Sequence, residues 1–127
     1  MTWTRIRLEL ARNPDFPQGS DRHGYEFVLP LLGDGRLDRK SYDKTPELCT
    51  VHRFWPGEGD TVGEILHTDR QRWVFSYAPN AGDDEPIAHF ADQVFRLGEY
   101  MSVREPNGHQ HTFKIVRTEP APGLNQR

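Results

Sequence analysis

Two histidines and a carboxylate near the end of the chain have the residue types and spacing for metal chemistry. His109 and His111 lie in "PNGHQHTFKIV", and Glu105 precedes that stretch. Imidazole and carboxylate groups are ligands that Zn²⁺ and Fe²⁺ accept. A hairpin that turns at residues 106–108 pairs Glu105 with His109 and Val103 with His111, because proline, asparagine and glycine suit the successive positions of such a turn. The three candidate ligands then share one side of a two-stranded ribbon.

The same hairpin tip has a simpler interpretation, which we favour. Water competes for ligands at an exposed tip, and metal sites need surrounding groups that fix their ligands. An H-x-H pattern also arises easily in a chain with 6 histidines. We therefore predict no metal and no cofactor, and we keep a metal-dependent enzyme with a His/Glu site at 105–111 as an alternative.

Cys49 raises the question of nucleophilic chemistry. If the loop "PGEGD" pairs Trp55 with Thr61, His67 falls opposite Cys49, and a thiol beside an imidazole can be activated. The turn does not fix this register, and a lone cysteine in a strand is more typical of a small core residue. The chain contains no G-x-S-x-G, P-loop, C-x-x-C or H-E-x-x-H motif. We therefore assign no catalytic residue, and an enzyme is not the favoured interpretation.

Basic and aromatic residues alternate in the middle of the chain. They are the candidate ligand-binding residues: Arg53, Trp55, Arg72, Trp73 and Tyr77. Guanidinium groups beside indoles can hold phosphates and stack on bases, so a barrel that binds single-stranded nucleic acid is an alternative. The net charge of −3 argues mildly against a dedicated nucleic-acid binder, since affinity for phosphate is built from accumulated cations.

Alternation with a period of two residues is the dominant pattern of the sequence. In "RIRLEL" the apolar and charged residues alternate, and in "RWVFSYA" Trp73, Phe75 and Tyr77 share one face. We predict an all-β protein, a small antiparallel or partly open barrel of about seven to eight short strands, one of them near residues 87–90. Asp38 is expected to cap the one short helical segment, near residues 38–45. The acidic stretch that includes Asp84 and Glu85 is expected to be a loop.

Length, cysteine content and termini give the expected domain organisation and location. The chain has 127 residues and 14 aromatic side chains, enough for one core. Residues 1–119 are predicted to form a single barrel domain, followed by a flexible tail at 120–127. One cysteine and the lack of an export signal or apolar span favour the cytoplasm and exclude a membrane partner. Pro30 is expected at a strand end, bulge or edge, which leaves a monomer or a weak homodimer.

The favoured function is a non-catalytic binding or interaction module. Its partner is expected to be a protein or a small ligand held at one barrel mouth. The single-stranded nucleic-acid barrel and the metal-dependent enzyme remain the alternatives, because barrels of this kind carry all three functions.

Overall fold

The computed structural model describes residues 1–68, 71–77, 84–105 and 108–125, and it is all-β. The described residues form eight strands and one short α-helix, as the alternating sequence predicts. The strands are β1 (Thr2–Leu10), β2 (Ser20–Leu31), β3 (Thr50–Phe54), β4 (Thr61–His67), β5 (Trp73–Ser76), β6 (Glu85–Pro86), β7 (Tyr100–Arg104) and β8 (Gln110–Pro120), and the helix is α1 (Arg39–Lys44).

The strands form one antiparallel sheet that curls into a nearly closed barrel. Their order is β6-β5-β4-β3-β2-β1-β8-β7, so consecutive strands pair with each other except β6 and β7, and β1 pairs with β8. β6 and β7 are the two ends of this order, and an isolated antiparallel bridge between Ile87 and Val103 joins them. The backbone N–H of Ala88 also donates to the carbonyl of Ser102 at 3.0 Å. The β6–β7 seam is therefore the most thinly paired part of the barrel wall.

Alternation fills the barrel with apolar side chains. Along β1, Ile6, Leu8 and Leu10 are buried, whereas the residues between them are only partly covered. Trp73, Phe75 and Tyr77 are buried on a common face, as the sequence predicts. The interior is rich in rings because β2, β5 and β8 contribute aromatic residues to the same cluster.

Helix α1 lies at the end of the barrel where β2 ends and β3 begins. The side chain of Asp38 accepts a hydrogen bond from the backbone N–H of Ser41, which confirms the predicted cap. Tyr42 is buried and donates its hydroxyl hydrogen to the carbonyl of Ile65 at 2.8 Å. A 3₁₀ turn over Pro46–Leu48 follows the helix. This end of the barrel is covered, and the opposite end carries the connections after β1, β3, β5 and β7.

The position of Pro30 agrees with the sequence prediction, whereas the strand expected near residues 87–90 lies elsewhere. Pro30 lies one residue before the end of β2, past the segment that pairs with β3, so its missing N–H interrupts no ladder there. The strand expected near residues 87–90 is wrong: β6 is Glu85–Pro86, and Phe90 begins a 3₁₀ turn. His89 adopts a left-handed backbone conformation, which ends the extended segment before Phe90.

The residues after β8 return to β1. Ala121 is buried, and the side chain of Asn125 accepts a hydrogen bond from the N–H of Trp3 and donates one to its carbonyl. The boundary at 119/120 stays a prediction. In the described part of the chain, no helix has the length and apolar character required to cross a membrane.

Candidate functional site

A cluster of charged and hydroxyl side chains lies inside the barrel at the end opposite α1. Its centre is Glu85 on β6, whose side chain is only 3% exposed. The hydroxyls of Tyr25 and Tyr77 both donate to its Oε1 atom, at 3.0 and 2.8 Å. Burial raises the pKa of Glu85 above its ordinary value. The hydrogen bond from Tyr77 and the charge of Arg53 oppose that shift.

The two tyrosines are affected by the same burial. Removal from water, together with the neighbouring carboxylate, raises the pKa of Tyr25 and that of Tyr77. Both hydroxyls therefore stay protonated and act as fixed donors to Glu85. A carboxylate held by two donors in an apolar interior is a preorganised acceptor.

Arg53 on β3 supplies the positive charge of the cluster. Its guanidinium group donates to Glu105 at 2.8 Å and to Glu58 at 3.0 Å, and its side chain is 11% exposed. The remaining nitrogen, Nε, lies 3.5 Å from Oε2 of Glu85. That Nε atom is buried and has no hydrogen bond to any part of the chain that the structure describes. One arginine thus faces three carboxylates while one of its own donors is unsatisfied.

Aromatic rings surround the outer part of this cluster. The guanidinium carbon of Arg53 lies 4.3 Å from the ring centre of Trp55, a cation–π distance. The rings of His23 and His111 lie 4.6 and 5.9 Å from Trp55. Nδ1 of His23 is 2.7 Å from the Ser20 hydroxyl, which fixes the imidazole against Trp55.

A glycine on β4 gives Tyr77 the room it occupies. A Cβ atom at Gly63 would collide with the carbonyl of Ser76 and with the ring of Tyr77. Glycine is required there because the neighbouring backbone and the tyrosine ring approach so closely. Gly63 thereby positions one of the two donors to Glu85.

The structure brings together three of the five candidate ligand-binding residues. Arg53, Trp55 and Tyr77 all lie at this barrel end. Arg72 and Trp73 lie at the other end of β5, so the five do not form one patch. Trp73 is 6% exposed, and its ring contacts those of Tyr42, His67 and Phe90. An indole packed in this way offers little surface for stacking on a base.

The predicted register of the β7–β8 hairpin is confirmed. Val103 pairs with His111, and the N–H of Glu105 donates to the carbonyl of His109. Nε2 of His111 lies 3.2 Å from Glu105. Over the ranges that the structure covers, however, no three His, Cys, Asp or Glu side chains could hold a metal ion together. The turn predicted at 106–108 falls partly outside the described residues, at 106–107.

The neighbours of Cys49 differ from those expected if Trp55 paired with Thr61. Arg53, not Trp55, pairs with Thr61, so Ile65 rather than His67 lies beside Cys49. Burial raises the pKa of the Cys49 thiol to about 12. The thiol therefore stays protonated at neutral pH, which does not suit a nucleophile. These observations support the interpretation of Cys49 as a small core residue.

Two residues at the centre of the cluster, Glu85 and Tyr25, are not among the candidates that the sequence predicts. Glu85 was assigned to an acidic loop, whereas it is a buried strand residue. Tyr25 reads as an ordinary core aromatic in "YEFVLPLL". The available signal was Glu85 directly before Pro86 and Ile87, since a strand of that phase turns Glu85 and Ile87 to the same side.

No family model, curated protein or solved structure shows significant similarity to this chain.

Proposed function

We propose that the protein is a non-catalytic binding module that holds a small neutral ligand at the barrel end formed by Arg53, Glu85 and Trp55. The observation that carries this proposal is the buried Nε of Arg53, which lacks a hydrogen bond and lies 3.5 Å from Oε2 of Glu85. Buried polar atoms are almost always hydrogen-bonded, so an unsatisfied donor facing an acceptor requires an explanation. A ligand group that accepts a hydrogen bond would satisfy Nε of Arg53, and one that also donates could bond the Glu85 carboxylate beside it.

The charges around this position favour a neutral ligand. Arg53 is already paired with Glu58 and Glu105, and Glu85 lies on its remaining side. An anion would be repelled by the three carboxylates, and a cation would compete with the guanidinium. A primary carboxamide or a hydroxyl carries a donor and an acceptor without charge. Ligand sites commonly combine a few such polar groups with apolar and aromatic walls.

The surrounding rings indicate a flat apolar body for the ligand. Trp55, His23 and His111 lie beside the polar cluster, and Trp55 is only partly buried. Glu58 is the outermost member of the cluster, with a side chain that is 55% exposed. A ligand would therefore approach past Glu58, whose ion pair is the most easily displaced.

Benzamide is the probe that meets these requirements, and toluene is its match without the amide. Two-dimensional NMR titration of the isotope-labelled protein measures binding of both through the Trp55 indole signal and the amides of β3. We expect benzamide to shift these signals and toluene to shift them much less.

Arg53→Lys keeps the charge and removes the Nε donor, so it should weaken benzamide binding by about tenfold, the equivalent of about 1.4 kcal/mol. Arg5→Lys is the matched control, because Arg5 lies outside the cluster and pairs with Glu119. Equal shifts with toluene, or equal affinities for the two variants, would contradict the proposal.

A further inference from the structure

A groove on the outer surface of the barrel follows the β6–β7 seam. It has a volume of about 430 Å³ and is lined by residues of the β4–β5 connection, of the segment 86–92, and of β7 and β8. That volume is within the range of small-ligand sites, about 300–1,000 Å³. The groove is separate from the Arg53–Glu85 cluster, because none of that cluster's residues lines it.

Strand register explains the shape of the groove. Ile87 and Val103 are buried in the barrel at the seam, so the residues next to them in sequence face outward. Those outward residues include Ala88 and Ser102, which are small and form a shallow floor across the seam. Bulkier residues stand on either side of this floor.

Two guanidinium groups stand on opposite sides of this floor. Arg72 precedes β5, and Arg104 ends β7. Neither has a side-chain hydrogen bond or an ion pair within the described ranges, whereas Arg5, Arg7 and Arg53 are paired with carboxylates. Among the described residues that line the groove, Asp92 is the only carboxylate, so together with Arg72 and Arg104 these residues carry a net positive charge.

Backbone conformation gives an independent indication at the same place. Gln71 and His89 are the two non-glycine residues with positive φ in the described chain, at 61° and 55°. Both line this groove. Glycine adopts such conformations without penalty, whereas other residues incur about 1–2 kcal/mol each. Retained strain of this kind is concentrated at functional sites, and here it places an amide and an imidazole beside the two arginines.

We propose that this groove binds a small organic acid, with its carboxylate or phosphate held between Arg72 and Arg104. Guanidinium groups donate paired hydrogen bonds to oxyanions of both kinds. The apolar part of the ligand would rest on Pro86, which also lines the groove. This site is independent of the proposed neutral-ligand site.

Benzoate and phenyl phosphate are the probes for this groove, and benzamide is the neutral match. The measurement is an NMR titration that follows the backbone amides of Ala88 and Ser102. We expect at least one of the two anions to shift these amides, and the more tightly bound one identifies the preferred oxyanion. Benzamide should leave them unchanged even where it shifts the Trp55 signal.

Arg72→Gln and Arg104→Gln should each weaken binding of the preferred anion by about tenfold, the loss expected for one charge-assisted pair. Arg117→Gln is the matched control: it removes the same charge from an exposed residue of β8 that does not line the groove, and should change the affinity by less than about twofold. Absence of binding by both anions would overturn the proposal. An equal effect of the control variant would also overturn it, as would a single-stranded oligonucleotide that binds this groove more tightly than phenyl phosphate.

Discussion

Glu85 has an environment that ordinary protein stability does not require. The carboxylate is removed from water, receives two tyrosine hydroxyls and shares one arginine with two other carboxylates. Replacing buried ionic groups with apolar residues is often neutral or stabilising. Retention of such a cluster in a core otherwise filled by rings is therefore consistent with a role in recognition.

The raised pKa of Glu85 gives a prediction for the pH dependence of folding. In the unfolded chain the group titrates near its ordinary 4.5, and in the folded protein it holds its proton to higher pH because it is buried. Stability from this group is therefore present below 4.5 and is lost as the pH rises through the raised pKa. We expect the free energy of unfolding of the wild type, minus that of Glu85→Gln, to fall as the pH rises above 4.5.

Chemical denaturation at a series of pH values measures this difference. Glu119→Gln is the control, because the hydrogen bond from Arg5 lowers the pKa of Glu119, and its effect should change mainly below 4.5. A difference for Glu85→Gln that does not vary with pH would show that Glu85 is not held in its protonated form.

Individual contacts of this cluster were only partly predictable from the sequence. The shared face of Arg53 and Trp55 follows from their two-residue spacing, and the guanidinium does lie over the indole. The bond from Tyr77 to Glu85 does not follow from any local pattern, because it depends on how the barrel closes. Charge in a stretch such as "GDDEP" indicates exposure on average, and tertiary packing overrides that average at Glu85.

At the scale of the strands, Gly63 gives a second stability prediction. Gly63→Ala places a methyl group against the Ser76 carbonyl and the Tyr77 ring, and it should lower the free energy of unfolding by about 1–3 kcal/mol. Gly33→Ala is the matched control, since a Cβ there meets no atom within 4 Å and the backbone φ is not positive. Thermal or urea unfolding of both variants checks this prediction. Equal free energies of unfolding for the two variants would contradict the prediction, because β4 and β5 would then accommodate the added methyl group without loss of stability.

Strand register was predictable where the turn chemistry specified it and not elsewhere. The β7–β8 hairpin has the predicted register, with Val103 opposite His111, because proline, asparagine and glycine define a short turn. The β3–β4 loop has two glycines with positive φ and allows several registers. The observed pairing of Arg53 with Thr61 is shifted by two residues from the pairing of Trp55 with Thr61 that the sequence also allows. Cys49 therefore does not lie opposite His67.

At the scale of the whole molecule, the two-residue alternation and the turn residues between the apolar runs predict an antiparallel all-β fold, for which the barrel is the preferred form. The order of strands and the closing contact between Ile87 and Val103 depend on pairs distant in sequence. Such contacts bring β3, β5 and β6 to one end, where Arg53, Tyr77 and Glu85 meet. The proposed neutral-ligand site is thus a product of the complete barrel rather than of any single motif.

A crystal structure of the protein with benzamide tests the central claim most directly. We expect the amide group of benzamide to lie beside the Arg53–Glu85 pair, with its oxygen accepting from Nε of Arg53, its nitrogen donating to Oε2 of Glu85, and its ring against Trp55. Benzamide bound only elsewhere, or an Nε atom of Arg53 that makes no hydrogen bond to the bound amide, would contradict the proposal.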